Sequence, residues 1–271
     1  MRNDPGATPI KDVPAALQVE RWLSPIHLLL TFRAPSIAAH ARPGQFVHLR
    51  VAPYGTSPLL RRPFSIAGTN QADGTLRLLV RTIGRGTAML GELLPGAELP
   101  ALGPLGRPFP SLPPEREAVL VAGGVGVAPL LYYASAREHR RKVALYGAET
   151  QRALVLSEEL TAACDQMLPA TDDGSAGHHG FVTDLLPMVL DELRDPVVLA
   201  CGPRAMMAAT ANECRRRGVE CHVSFEAWLG CGVGACLGCV IPAAGEPRRY
   251  LRVCRDGPVF AAEEIGWGEL R

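Results

Sequence analysis

The chain has 271 residues, enough for about two domains and a small appendage. Apolar residues make up 47%, charged residues 20%, and the net charge is +1, which excludes a disordered chain and a strongly basic nucleic-acid binder and leaves ample material for a core. Gly (28) and Pro (24) together approach a fifth of the chain with no collagen-like period, so many turns and short strands are expected. Lys occurs only at Lys11 and Lys142, a skew that reads as genome composition, so Arg215–Arg217 is discounted as a partner signal.

In chain order, residues 1–14 hold three prolines, lack an apolar signal-type core and read as a loose extension. From 15 to 112 the pattern is all-β. Apolar or alternating runs occur at Leu17–Leu23, His27–Phe32, Gln45–Val51, Phe64–Ala67 and Leu76–Thr82. Turns at Pro43-Gly44, Tyr54-Gly55, Asp73-Gly74 and Pro95-Gly96 separate them. That spacing predicts a small antiparallel barrel, with one short helix over Thr87–Leu94.

After the Pro-rich joint at Pro108–Pro114 the rhythm becomes strand–helix. Strands are expected at Ala118–Ala122, Val143–Tyr146, Met167–Thr171, Val197–Cys201 and Cys221–Phe225. Helices are expected at Pro129–Arg137, Leu154–Cys164, Val182–Leu190 and Arg204–Arg217. The alternation predicts a doubly wound parallel sheet over 113–225. The uncharged stretch Ala118–Ala136 imitates a membrane span in length, but its central glycines and Pro129 fit a strand, turn and helix start better, and no membrane segment is expected. Residues 226–271 are too short for a core of their own and need a staple.

Eight cysteines without a secretion signal do not suggest a disulfide framework. Cys164, Cys201, Cys214 and Cys221 are scattered and read as small buried apolar residues. Cys231, Cys236, Cys239 and Cys254 follow C-x4-C-x2-C…C, the spacing of plant-type [2Fe–2S] ligation. Glycines at 230, 232, 234 and 238 permit the tight turns that bring backbone N–H groups to sulfur. A structural zinc site is the alternative. Three thiols on one glycine-rich loop favour the cluster over the paired knuckles usual for zinc.

Three weaker signals concern nucleotides. Arg62-Pro63-Phe64-Ser65 opens a strand and Gly86-Thr87 opens the short helix; an Arg and a helix amino terminus can both receive a pyrophosphate, although an ordinary strand with an exposed Arg would look the same. Gly123-Gly124-Val125-Gly126 sits between strand and helix without the full G-x-G-x-x-G spacing, and tight packing alone could account for it. Cys201-Gly202-Pro203 ends a parallel strand, where such sheets place ligands. His178-His179 reads as a surface loop and Met206-Met207 as core.

The order of these pieces resembles the ferredoxin–NADP reductase superfamily. Arg61–Ile66, Gly123–Leu130, Thr171–Ser175, Gly180–Asp184 and Cys254–Phe260, with the cysteine cluster, are similar to the electron-transfer subunits of NAD-dependent dihydroorotate dehydrogenase, type B. The resemblance implies a multi-domain chain: an FAD barrel (15–112), an NAD-binding α/β domain (113–225) and a small cluster domain (226–271). It implies that Arg62, Pro63, Phe64 and Ser65 line FAD, that Leu79, Val80 and Arg81 follow along it, and that Gly86 and Thr87 hold its pyrophosphate. Gly123, Gly124 and Gly126 with Cys201, Gly202 and Pro203 would bound the NAD site. Phe64 stands where the superfamily often has Tyr, so stacking survives and the hydroxyl contact does not.

The implied partner is an FMN-containing dihydroorotate dehydrogenase catalytic subunit, in a heterotetramer of two and two, acting in the cytoplasm in pyrimidine biosynthesis. The chain itself would carry no catalytic residue for dihydroorotate. Trp228 and Trp267 are candidate anchors at that interface. Glu149, just past a strand, would bond a ribose hydroxyl and repel a 2′-phosphate, although Arg152 is close in sequence. The alternatives are a small subunit of another flavin/iron–sulfur NAD(P)H:ferredoxin oxidoreductase or hydrogenase-associated diaphorase, and, in a different class, a zinc-stapled binding module.

Overall fold

The computed structural model describes residues 10–52, 57–245 and 247–270. The expected turn at Tyr54-Gly55 and residues 1–9 of the expected extension lie outside them. Strand β1 (Lys11–Ser24) runs antiparallel to β2 (His27–Arg33), so regular structure begins at Lys11, four residues earlier than the composition suggested. A short helix α1 (Pro35–Ala38) leads to β3 (Phe46–Leu49), β4 (Arg62–Asn70) and β5 (Thr75–Arg81). Helix α2 (Arg85–Ala88) and a 3-10 turn (Met89–Glu92) precede β6 (Glu98–Leu105). The six strands close in the order β1-β2-β5-β4-β3-β6.

Strand β6 is missing from the sequence reading. Pro100 and Pro104 interrupt it, and proline ordinarily demotes a run to an edge. Here Pro100 pairs across from Pro14, and its carbonyl accepts the Arg50 N–H at 2.9 Å, so the ladder survives where no N–H is needed. The strand shuts the barrel by pairing with both β1 and β3. Leu28, Leu30, Phe32, Val47, Ile66 and Leu78 fill its interior.

The second unit follows the expected strand–helix order. It comprises β7 (Glu117–Gly123), α3 (Val127–Ala136), β8 (Arg141–Ala148), α4 (Ser157–Ala163), β9 (Gln166–Thr171), β10 (His178–His179), α5 (Leu186–Glu192), β11 (Pro196–Cys201), α6 (Arg204–Arg217) and β12 (Glu220–Ser224). The order in the sheet is β10-β9-β8-β7-β11-β12, parallel throughout, with one antiparallel strand from the carboxyl-terminal segment beyond β12. Residues Ala118–Ala122 are buried on both faces, which is why their run is continuously apolar. His178-His179 forms a two-residue edge strand, not a loop, with His178 bonded to Asp184 at 3.3 Å.

Leu29, Ala67 and Leu79 point out of the barrel into the core beneath α3. Tyr132 on α3 reaches back, donating to the Ala41 carbonyl at 2.8 Å and meeting the Thr69 hydroxyl at 2.9 Å. The two units thus share packing and a buried hydrogen-bond pair.

The carboxyl-terminal segment is less separate than its composition suggested. It forms the hairpin β13 (Val240–Pro242) and β14 (Tyr250–Arg252), and then β15 (Val259–Ala261) pairs antiparallel with β12 as the last strand of the large sheet. Ile241, Val253, Phe260 and Ile265 join Val198, Met207 and Phe225 in one apolar cluster. The segment borrows the sheet's core because it has none of its own. Among the described residues no helix is long and apolar enough to cross a membrane.

Candidate functional site

A cavity of about 620 Å³ opens at the carboxyl ends of the parallel strands, where doubly wound sheets present ligand sites. Its wall brings together Gly123, Gly124 and Gly126 from the glycine turn, Gly202 and Pro203 from the end of β11, and Arg81 from the barrel. The glycines are there for a physical reason. A Cβ on Gly126 would lie 2.1 Å from the Cys201 carbonyl oxygen, so the turn presses directly on the end of β11. Gly202, with φ of 156°, sits against Gly123 so closely that a Cβ would come within 2.9 Å of the Gly123 main chain. Cys201 itself is buried beneath the cavity and its burial pushes the thiol far up, so it supports the wall without facing the opening.

Sequence reasoning missed several wall residues. Glu226 follows β12 and lines the cavity with its side chain exposed there, and desolvation by the surrounding protein pushes its carboxyl up. Phe181 (70% exposed), Thr183 and His27 complete the wall. Met206 lines it too, while Met207 is core as expected. Only topology brings these residues together, and none stands in a spacing that signals it. Glu149 lines the cavity and pairs with Arg81 at 3.6 Å across the gap between barrel and sheet; both side chains are well exposed, so the pair adds little stability. Asp172 adds a second carboxylate to that side, and Arg152 is not part of the wall.

On the barrel, Arg62 and Gly86 meet although 24 residues separate them. A Cβ on Gly86 would lie 3.2 Å from the Arg62 Nε. One guanidinium nitrogen donates to the Leu60 carbonyl at 2.7 Å, which orients the group along the start of β4. Thr87 accepts the N–H groups of Ile83 and Gly84 at 3.1 and 3.2 Å, tying the entry of α2. Pro63 and Ser65 are half-buried, Leu79 is buried beneath α3, and Val80 points into the barrel. Phe64 is buried with the barrel core at 8% exposure, leaving little ring surface outside.

The cysteine loop folds around its own sulfurs. The N–H groups of Val233, Ala235 and Cys236 point at the Cys231 sulfur at 3.5, 3.3 and 3.4 Å; Gly234 points at Cys254 at 3.1 Å, and Cys254 at Cys239 at 3.4 Å. Gly232 and Gly234 have φ of 74° and 81°, which is what allows successive N–H groups to converge. Burial pushes the Cys231 thiol up, but those N–H groups and the Cys236 thiol outweigh it and bring it down to about 6. Cys254 moves the other way, through burial and the neighbouring Cys239.

The thiols fall into two pairs. Cys239 and Cys254 are in contact at 3.3 Å, both buried, and Cys231 lies against Cys236, which is exposed. Among the described residues no three ligating side chains gather closely enough for a single ion. Two thiol pairs, each supplied with N–H donors, match two irons sharing a charged cluster better than one tetrahedral zinc. The residues present therefore fit a [2Fe–2S] group.

Residues 226–266 match the family model described as the iron–sulfur cluster binding domain of dihydroorotate dehydrogenase B, and residues 120–212 match the oxidoreductase NAD-binding domain. The chain is 40% identical over 240 residues to the dihydroorotate dehydrogenase B (NAD(+)) electron transfer subunit of Geobacillus kaustophilus, covering 87% of this chain and 91% of that one. The chain belongs to this family of electron-transfer subunits. A second member, from Desulforamulus reducens, is 36% identical over 90% of this chain and 94% of its own length. The chain is accordingly an oxidoreductase subunit built to move electrons.

A solved structure of an NADH-dependent reduced ferredoxin–NADP oxidoreductase, described in connection with flavin-based electron bifurcation, has a TM-score of 0.83 at 30% identity and covers 94% of this chain and 91% of its own. A ferredoxin NADP+ reductase from Neisseria gonorrhoeae, at 18% identity and a TM-score of 0.65, shares the fold.

Proposed function

We propose that the chain carries electrons between NAD and the FMN of a catalytic partner that oxidises dihydroorotate to orotate, through FAD and a [2Fe–2S] cluster held by its own residues. When bound, the flavin exchanges a hydride with nicotinamide and single electrons with the cluster, which makes it the converter between the two. Arg62 with Gly86 and Thr87 holds the pyrophosphate of FAD by charge and backbone N–H groups. Pro63, Phe64 and Ser65 run beside the ring, and Leu79, Val80 and Arg81 continue along the cofactor, with Leu79 and Val80 acting from beneath.

The glycine turn and Gly202-Pro203 admit the nicotinamide nucleotide against bare backbone. Glu149 and Asp172 face that nucleotide with Arg81 as the nearby cation, an arrangement that suits ribose hydroxyls and repels a 2′-phosphate. Cys231, Cys236, Cys239 and Cys254 ligate the cluster as thiolates, and the N–H groups aimed at their sulfurs hold its negative charge.

The partner docks at the cluster. Cys236 is exposed, and from the same carboxyl-terminal segment Trp228 (91%), Leu237 (59%) and Val233 are apolar and exposed. Trp228 is the aromatic anchor. Trp267 is not: it packs against Phe225 with ring centroids 5.5 Å apart and donates to the Ala262 carbonyl at 2.8 Å. The assembly is a cytoplasmic heterotetramer of two electron-transfer and two catalytic subunits serving pyrimidine biosynthesis.

One observation carries this reading: the cysteine loop is seated on the barrel through Gly232 and His48 and presents the exposed Cys236 beside apolar side chains to solvent. The test is reconstitution. The chain, added to an FMN-containing dihydroorotate dehydrogenase subunit, should give NADH formation that depends on dihydroorotate and NAD⁺. The 0.83 TM-score favours a second reading, electron exchange with a ferredoxin-linked NADP enzyme. Co-purification of such a subunit, with no orotate formed, would establish it.

A further inference from the structure

His48 lies in the middle of β3, opposite Pro63 on β4 and Leu102 on β6. It is fully buried, and neither ring nitrogen has a hydrogen-bond partner within the described residues. An unpartnered buried imidazole is costly, and it persists where something else depends on it. The ring points at the cluster loop: a Cβ on Gly232 would lie 2.6 Å from Nδ1, so the peptide next to the ligand Cys231 rests on that edge. The peptide groups of Cys231 and Arg61 lie close beside the ring without closing a hydrogen bond. His48 is therefore wedged between the first cluster ligand and the strand that begins Arg62-Pro63-Phe64-Ser65. The four ligands and the flavin strand were both expected from the sequence; nothing in the sequence marked the residue between them.

We propose that His48 is a positioning residue for electron transfer between flavin and cluster, its Nδ1 edge seating the Cys231–Gly232 peptide on the flavin barrel. This rests on the flavin and [2Fe–2S] reading above. With Nδ1 carrying the ring proton, that N–H would face the ligand peptide and offset the charge gained when the cluster is reduced, so its loss would make reduction harder. In the step concerned, NADH delivers a hydride, hence two electrons, to the flavin; one passes to the oxidised cluster and the other stays on the flavin.

The experiment compares the full chain, purified anaerobically with its cofactors, as wild type, His48→Phe and His48→Asn. Asn keeps an N–H donor near the Nδ1 position and Phe does not. Flavin and iron contents are measured first, then the cluster's midpoint potential, its electron paramagnetic resonance spectrum and the rate of cluster reduction after mixing with NADH. In His48→Phe, reduction of the flavin by NADH should keep its rate, cluster reduction should slow by about tenfold or more, and the potential should fall. His48→Asn should restore most of both.

The proposal is overturned if His48→Phe keeps the wild-type potential and transfer rate, or if His48→Asn departs from wild type as far as Phe does. If the Phe variant fails to load iron, the Asn variant decides alone: near-wild-type potential and rate support the role, and altered ones refute it. A wild-type chain without flavin or iron would instead refute the cofactor reading.

Discussion

The cluster loop and the nucleotide cavity are made in opposite ways. The loop supplies three of the four proposed cluster ligands, most of the N–H donors aimed at sulfur and the permissive glycines from nine consecutive residues, Cys231 to Cys239. The cavity gathers its wall from Ile26 in the barrel to Glu226 beyond β12, through the ends of separate parallel strands. A locally built site carries its chemistry in its spacing. A site built by topology depends on close backbone approaches far apart in the chain, and single substitutions there should act through the fold as much as through contact.

Cys236→Ala gives the largest effect and tests the local side of this contrast. It should remove the cluster entirely while FAD stays on the barrel, read by iron, sulfide and flavin assays. A variant that kept its iron would show that the loop is not the ligand source. Gly126→Ala tests the distributed side. With a Cβ forced to 2.1 Å from the Cys201 carbonyl, it should cost on the order of 3 kcal/mol in denaturant unfolding and weaken NADH binding, although residue 126 and β11 lie 75 residues apart. Full stability and affinity would mean that the turn does not press on the strand in solution.

Trp228→Ala should weaken binding of the catalytic subunit by about 2 kcal/mol, roughly 30-fold, in a titration of one subunit with the other. Flavin reduction by NADH should not change, because the residue is not part of the cavity wall. The smallest effect belongs to Glu149→Gln. It should raise the dissociation constant for NADH by about fivefold and narrow the preference over NADPH, since the side chain is 73% exposed and would contribute one hydrogen bond to the proposed nucleotide. An unchanged preference would place the selectivity elsewhere in the wall.

The same contrast explains what could be read in the chain beforehand. The parallel strands were legible because their apolar runs are continuous, and the helix Arg204–Arg217 because Pro203 and Gly218 mark its ends. Strand β6 was not, because two prolines mask a ladder that closes through carbonyls. The carboxyl-terminal unit read as a separate small cluster domain, with no strand assigned to the large sheet, because β15 is only three residues long and its partner strand lies 35 residues earlier. The cysteine cluster of the matched iron–sulfur domain was visible from spacing alone. Glu226, Phe181 and His48 were not, since a Glu after a strand, an exposed Phe and a buried His carry no pattern until the fold sets them beside a cavity or a loop.

The account rests on one chain carrying flavin and cluster together. The most direct measurement is an anaerobic NADH titration of the purified chain, followed by visible absorption and electron paramagnetic resonance and calibrated by flavin, iron and sulfide assays. It should find about two irons and two sulfides per flavin, bleaching of the flavin band, and a signal from a reduced [2Fe–2S] centre. A colourless protein with zinc bound, or a flavin that NADH reduces with no iron present, would contradict it.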